Sequence, residues 1–183
     1  MSFVSLAFVL LFVCSYIICR LVQTRQQKHL VLLIASYIFY AYWDARFLLL
    51  LILQTYISYF LAKKIESAQT RQQGKRLMLL GVSISLGILG FFKYFNFFVG
   101  SFATLFGIRS LGALNIILPV GISFYTFQAL SYLIDVYRDK LKASERFVDL
   151  SMYISFFPQL VAGPIVRASD FLPQMEEDRP MTR

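Results

Sequence analysis

Three features of this sequence predict an all-α membrane protein, a polytopic helical bundle of about five membrane segments followed by a proline-broken re-entrant segment. Of its 183 residues, 58% are hydrophobic and the mean hydropathy is +0.64, well outside the range of a soluble domain. The apolar residues fall into five runs close to the length a bilayer requires. Lys and Arg gather in short clusters between the runs, which is how topology is written in a membrane protein. The net charge of +8 therefore points to the lipid bilayer as partner and not to nucleic acid. The 19 Phe and 11 Tyr suit helices that pack in lipid with aromatic anchors at its surfaces.

The first run, Phe3–Cys19, follows an N-terminus with no basic side chain before Ala7. It reads as an uncleaved first helix and not as a secretory signal. Cys14 and Cys19 both lie in it, roughly 7.5 Å apart along a helix axis and pointing in different directions, so they are packing residues and not a disulfide. The second run, Leu30–Tyr42, is short. It either thins the bilayer locally or forms half of a hairpin with the third run, Phe47–Ala62.

The fourth run, Leu77–Phe92, reaches spanning length, extending to Phe98 if Lys93 snorkels along its own stem. Its pairs Gly81/Ser85 and Ser83/Gly87 have the small-xxx-small spacing that admits a close helix neighbour. The Asn96–Asn115 connection is too long for a tight turn. Phe102, Leu105 and Phe106 give it an apolar face suited to the outer interface. The fifth run is Leu118–Tyr137.

Charge sets the orientation. The 20–28, 63–76 and 138–146 connections hold twelve basic residues on one side of a five-segment topology, against Arg46, Lys93 and Arg109 on the other. This bias places the three connections in the cytoplasm and the N-terminus outside. The Phe147–Ala162 segment starts from the basic side, carries Pro158 and ends at Gly163-Pro164. Proline removes a helix donor and clashes with the preceding turn. A dip and return keeps Arg167, Arg179 and Arg183 with the other basic residues, so the segment is predicted to be re-entrant. Broken backbone at membrane depth is tolerated where it is buried in protein or lines a cavity.

The candidate functional residues lie in these last two stretches. Gly121, Tyr125, Gln128, Tyr132 and Asp135 recur at spacings of four, three, four and three, which places them on one helix face. Two readings of the stripe stand side by side. It lines a substrate path, together with Pro158, Gln159, Gly163 and Pro164 from the broken segment. Or it binds helices together, with Asp135 paired to Arg138 one turn on. Leu133, off the stripe, is expected to face lipid. His29, the only histidine, has no acidic residue or cysteine near it in sequence and reads as an interfacial surface residue. There is no metal-ligand cluster, phosphate-binding glycine loop or G-x-S-x-G motif. No metal is expected, and no catalytic base is recognisable among the chain's own residues.

Four stretches, in order, resemble the membrane-bound O-acyltransferase family, in particular its bacterial alginate O-acetyltransferase-like branch. They are Ala35–Phe47 (ASYIFYAYWDARF), Phe91–Phe98 (FFKYFNFF), Leu118–Arg138 and Ser155–Arg167. The resemblance implies an acyl transfer, usually of acetyl, from a cytoplasmic thioester donor such as acetyl-CoA, with no bound cofactor. The acceptor it implies is an extracytoplasmic hydroxyl of a polysaccharide, peptidoglycan or teichoic acid, often reached through extracytoplasmic acetylation partner proteins, at the bacterial inner membrane. The family's catalytic histidine lies beyond the point corresponding to Arg183. Residues 1–183 thus correspond to the N-terminal part of a single transmembrane domain, whose remaining helices are a further expected partner. The chain alone is expected to be inactive, walling the acyl path and supporting that histidine. A catalytically inert membrane scaffold or interaction subunit is the alternative.

Overall fold

The computed structural model describes residues 5–105, 117–160, 163 and 166–176. Among these residues every regular element is a helix: α1 (Leu6–Leu21), α2 (Arg25–Glu66), α3 (Arg71–Leu105), α4 (Ile122–Tyr137), α5 (Phe147–Ser155), α6 (Phe157–Leu160) and α7 (Ala168–Glu176). Each early helix starts on a residue suited to capping. The Ser5 side chain accepts from the Phe8 amide at 3.3 Å, and Thr70 Oγ1 accepts from the Gln73 amide at 3.2 Å.

The 42 residues of α2 form two arms. Asp44 leaves helical geometry for extended backbone, with φ −161° and ψ 111°. Its carboxylate accepts from the amide of Arg46 at 2.9 Å, so it caps the second arm as an N-terminal residue does. A straight helix would hold His29 and Tyr59 roughly 45 Å apart. Yet His29 bonds Asp149, while Tyr59 packs on Phe147 and reaches the Glu145 carbonyl at 2.8 Å. The arms, 25–43 and 45–66, therefore fold back on each other, and both open ends lie at the start of α5. Of the two alternatives for Leu30–Tyr42, the hairpin is the one formed.

The basic clusters consequently share one end of the bundle. Arg71 bonds Asp139 at 2.7 Å, Lys63 reaches the Glu145 carbonyl at 3.4 Å, and Arg25 shares a cleft with Lys140, Lys142 and Arg146. The opposite end carries the Asp44 apex and the start of α4. There Tyr40 donates its hydroxyl to the Val120 carbonyl at 3.0 Å.

Two helix lengths differ from expectation. α3 continues unbroken to Leu105, so Phe102 and Leu105 belong to a helix and not to an interfacial connection; Phe106 lies outside the described residues. α4 begins only at Ile122, because Gly121 sits in left-handed backbone at φ 75°. Its 16 residues span roughly 24 Å, short of the hydrocarbon thickness. A short helix is tolerable here because protein encloses it: ten of its residues are buried.

The packing of α3 uses one of its two small-residue pairs. The Gly81 position lies against Leu133 and Leu61, and Ser85 is buried and accepts from Gln54 Nε2 at 2.6 Å. Ser83 is exposed, and nothing lies within 4 Å of a side chain placed at Gly87. Leu133 itself is 0% exposed. The expectation that it faces lipid fails because its face of α4 meets the gap left by Gly81.

Candidate functional site

The α4 stripe and the broken segment meet inside the bundle. Tyr125, Gln128 and Tyr132 are all buried, Gln128 with 1% exposure. Gln128 Nε2 donates to the Tyr153 carbonyl of α5 at 3.3 Å. The Tyr132 hydroxyl accepts from the Ser144 amide at 2.9 Å, tying α4 to the loop before α5. The Tyr125 ring stands edge-on to Tyr40, with centroids 6.4 Å apart. Asp135 is buried and accepts from Ser131 at 3.5 Å. Its expected pairing with Arg138 is absent among the described residues, whose ion pairs are His29–Asp149, Arg46–Asp44 and Arg71–Asp139. Arg138 lies past the last turn of α4, where the chain leaves the helix.

The segment after α4 rises and returns. α5 starts at the basic end, where Asp149 meets His29, and ascends until the helix breaks at Phe156 (φ −54°, ψ 106°). Its amide ladder restarts at once, with the Gln159 and Leu160 amides both donating to the Phe156 carbonyl. Pro158 sits in the first turn of this new helix, where its missing N–H costs nothing. The amide of Phe157 donates to Ser36 Oγ at 3.2 Å, so the first arm of α2 takes up the donor freed at the break. α6 ends beside the start of α4: a β-carbon at Gly121 would lie 3.2 Å from the Leu160 carbonyl oxygen.

Gly163 follows, and any side chain there would meet Gln159 at 2.7–3.1 Å, so the turn demands glycine. Val166 then accepts from the Tyr153 hydroxyl at 2.9 Å, and Phe171 of α7 packs on Tyr153 and Phe156. Met175 reaches the cleft that holds Lys142 and Arg146. The chain has come back to the end from which α5 set out. Pro164 lies outside the described residues. The structure thus brings Tyr125, Gln128 and Tyr132 against the segment of Pro158, Gln159 and Gly163. It does so across a closed helix interface: none of the cavities described below or at the start of α4 is lined by these six residues.

His29 departs furthest from expectation. It is 7% exposed, and its Nδ1 lies 2.7 Å from Asp149 Oδ1, across 120 residues of sequence. The pair joins the first arm of α2 to α5. A signal existed within the arm itself. His29, Ser36 and Tyr40 recur at seven and four residues, the spacing of one helix face, and all three are buried. The bonding partner had no local signal.

Charges elsewhere are arranged at the surface. At the hairpin apex Arg46 grips both Asp44 oxygens, at 3.0, 3.2 and 2.7 Å. These hydrogen bonds hold the Asp44 carboxyl below its ordinary value. Arg71 is held above its ordinary value chiefly by the hydrogen bond to Asp139, and its guanidinium stacks over Tyr137 at 4.4 Å. Both pairs are open to solvent or headgroups and contribute little to stability. Cys14 and Cys19 are free thiols, but Cys14 is exposed and Cys19 only partly buried, so the expectation that Cys14 packs inside the bundle fails. No metal-ligating group of three or more side chains occurs among the described residues.

Comparison with known proteins finds no matching family model and no matching solved structure. Curated relatives do match. The chain is 40% identical over 178 residues to the probable alginate O-acetylase AlgI of Pseudomonas aeruginosa, covering 95% of this chain and 34% of that protein. To the protein of the same name from Pseudomonas putida it is 39% identical over 178 residues, 95% of this chain and 37% of that one. A peptidoglycan O-acetyltransferase of Helicobacter pylori is 36% identical over 170 residues, 80% of this chain and 32% of that protein. The chain spans about a third of the length of the curated relatives it matches.

Proposed function

We propose that this chain, which is similar to the alginate O-acetylases, forms the N-terminal portion of an enzyme of the membrane-bound O-acyltransferase family. The enzyme moves an acetyl group from a cytoplasmic thioester donor towards an extracytoplasmic hydroxyl of a polysaccharide or the cell wall. The donor is acetyl-CoA or a related thioester, and partner proteins outside the membrane assist. The alginate and peptidoglycan acetyltransferases among its relatives support this acceptor class. The chain sits in the bacterial inner membrane with the basic end in the cytoplasm and the N-terminus outside.

The observation that carries the reading is the buried contact between the α4 stripe and the returning α5–α7 segment. It ties polar groups from the membrane interior to a loop at the basic end through Tyr132 and Ser144. Polar groups gathered inside a membrane bundle often mark functional sites. In this arrangement α4 and α5 form one wall of the acyl path, and a histidine supplied by the rest of the bundle deprotonates the acceptor hydroxyl. His29 does not fill that role, being engaged with Asp149 at the cytoplasmic end.

A chimera tests the function. The matching third of the Pseudomonas aeruginosa relative is replaced by this chain, in cells lacking their own acetylase, and acetyl esters on the polysaccharide are measured. The chimera should restore esters and the chain alone should not. Normal membrane abundance of the chimera with no esters would establish the inert scaffold instead, and esters from the chain alone would overturn the division of labour.

Orientation is tested in the same cells with Cys14 and Cys19 replaced. Cysteines at Gln72 and Lys142 should be shielded from an impermeant thiol reagent, while one at Ala45, on the hairpin apex, should label. Labelling of Gln72 and Lys142 with protection of Ala45 would invert the topology.

A further inference from the structure

At the basic end a cleft of about 1070 Å³ opens between the 140–146 loop, both open ends of the α2 hairpin, and α7. Its volume suits a nucleotide-sized ligand. Lys140, Lys142 and Arg146 stand on the loop, and Arg25 faces them from the start of α2. Three acids also line it, but two are already engaged by the protein. Glu66 accepts from the Ala143 amide at 3.3 Å, and Asp149 is held by His29 at 2.7 Å. Glu145 offers the third carboxylate, beside three loop cations that have no ion-pair partner among the described residues.

We propose that this cleft is a binding site for phosphate groups. Two sources carry that chemistry to the cytoplasmic surface: the nucleotide end of a soluble acyl-thioester donor, and the headgroup of an anionic lipid. The site is built and not merely charged. Tyr132 fixes the Ser144 amide, Tyr59 and Lys63 fix the Glu145 carbonyl, and Ser144 Oγ bonds the Arg146 carbonyl at 3.1 Å. A loop pinned at three points presents its cations without the ordering cost that weakens most surface pairs. Leu141, Leu172 and Met175 supply apolar wall beside the cations, against which a base or an acyl chain lies. The donor as source rests on the acyltransferase reading; the phosphate site itself does not.

Binding is measured on the purified chain in phosphatidylcholine nanodiscs, using tritiated CoA displaced by pyrophosphate. The triple variant Lys140→Gln/Lys142→Gln/Arg146→Gln should weaken CoA binding by about tenfold or more. The triple change of the same three residues to the opposite choice of Lys or Arg should retain it, which separates charge from folding. A control, Lys64→Gln/Lys75→Gln/Arg76→Gln, removes the same charge from exposed positions outside the cleft and should leave binding within about twofold.

A second arm forms nanodiscs with phosphatidylglycerol and weighs the lipid retained by each variant. CoA binding competed by pyrophosphate and lost in the cleft variant identifies the soluble source. Retention of phosphatidylglycerol that only the cleft variant loses, without CoA binding, identifies the lipid source. Neither signal, or equal losses in cleft and control variants, overturns the proposal. A chimera that makes no esters while phosphate binding persists would remove the acyltransferase reading and leave this one.

Discussion

α3 and α4 lie side by side and are built on opposite principles. α3 is the longer, with 35 residues, and in its most apolar stretch only 17% of residues are buried by protein. Among its described residues those buried, Gly74, Gly81, Ser85 and Leu89, recur at seven, four and four, one narrow face. α4 has 16 residues, buries ten of them, and includes two tyrosines, a glutamine and an aspartate among those ten. In water the apolar helix would be the buried one. In a bilayer lipid solvates apolar side chains, so the polar residues mark the helix that protein surrounds.

The sharpest break of this comparison comes from its glycines. Gly121 starts α4 at positive φ, with the Leu160 carbonyl oxygen 3.2 Å from where a β-carbon would stand. Gly121→Val should cost at least about 2 kcal/mol from backbone strain and the displaced α6 contact. Gly87 of α3 is in regular helix with open space around it, so Gly87→Ala should stabilise by about 0.5–1 kcal/mol. Thermal unfolding in detergent should move down in the first and up in the second. Equal shifts would mean that the two helices do not differ in enclosure.

What the sequence revealed follows the same division. The apolar runs, the basic clustering and the break near Pro158 are legible, because each depends on composition or on local backbone chemistry, while the hairpin stands in the sequence only as one of two alternatives. Asp44, a carboxylate just before the apolar Phe47–Ala62 run, is also a local helix-start signal. Leu133 was misplaced because hydropathy cannot separate a leucine facing lipid from one filling the space above Gly81. The end of α3 is missed because Lys93 and Asn96 interrupt the apolar run that hydropathy follows, while helical hydrogen bonding carries the chain on to Leu105. His29 found its partner 120 residues away, and nothing local encodes such a distance. The imagined Asp135–Arg138 pair shows the reverse error, a good local spacing that the end of the helix cancels.

The smallest expected effect on stability, and the most informative for function, belongs to the stripe itself. In the full-length chimera, Gln128→Leu removes the donor to the Tyr153 carbonyl while keeping much of the bulk. Tyr125→Phe removes only a buried hydroxyl. If Gln128 serves only to join helices, losing its bond is worth on average about 0.6 kcal/mol in a membrane bundle, while Tyr125→Phe, which removes a buried hydroxyl with no hydrogen-bond partner among the described residues, should cost nothing measurable. The Gln128 loss would then show as slightly lower abundance or melting temperature, with acetylation per molecule preserved. If these groups wall the acyl path, acetylation per molecule should fall several-fold while abundance holds, because the altered group faces the moving acyl chain or the residues that guide it. Phe127→Ala is the control, since Phe127 lies on the same helix with 46% of its surface exposed and removes bulk without touching the stripe. Leu133, packed against Gly81, is unsuitable for that purpose. Normal activity per molecule in both stripe variants would leave α4 a buried strut, polar because protein surrounds it and for no further reason.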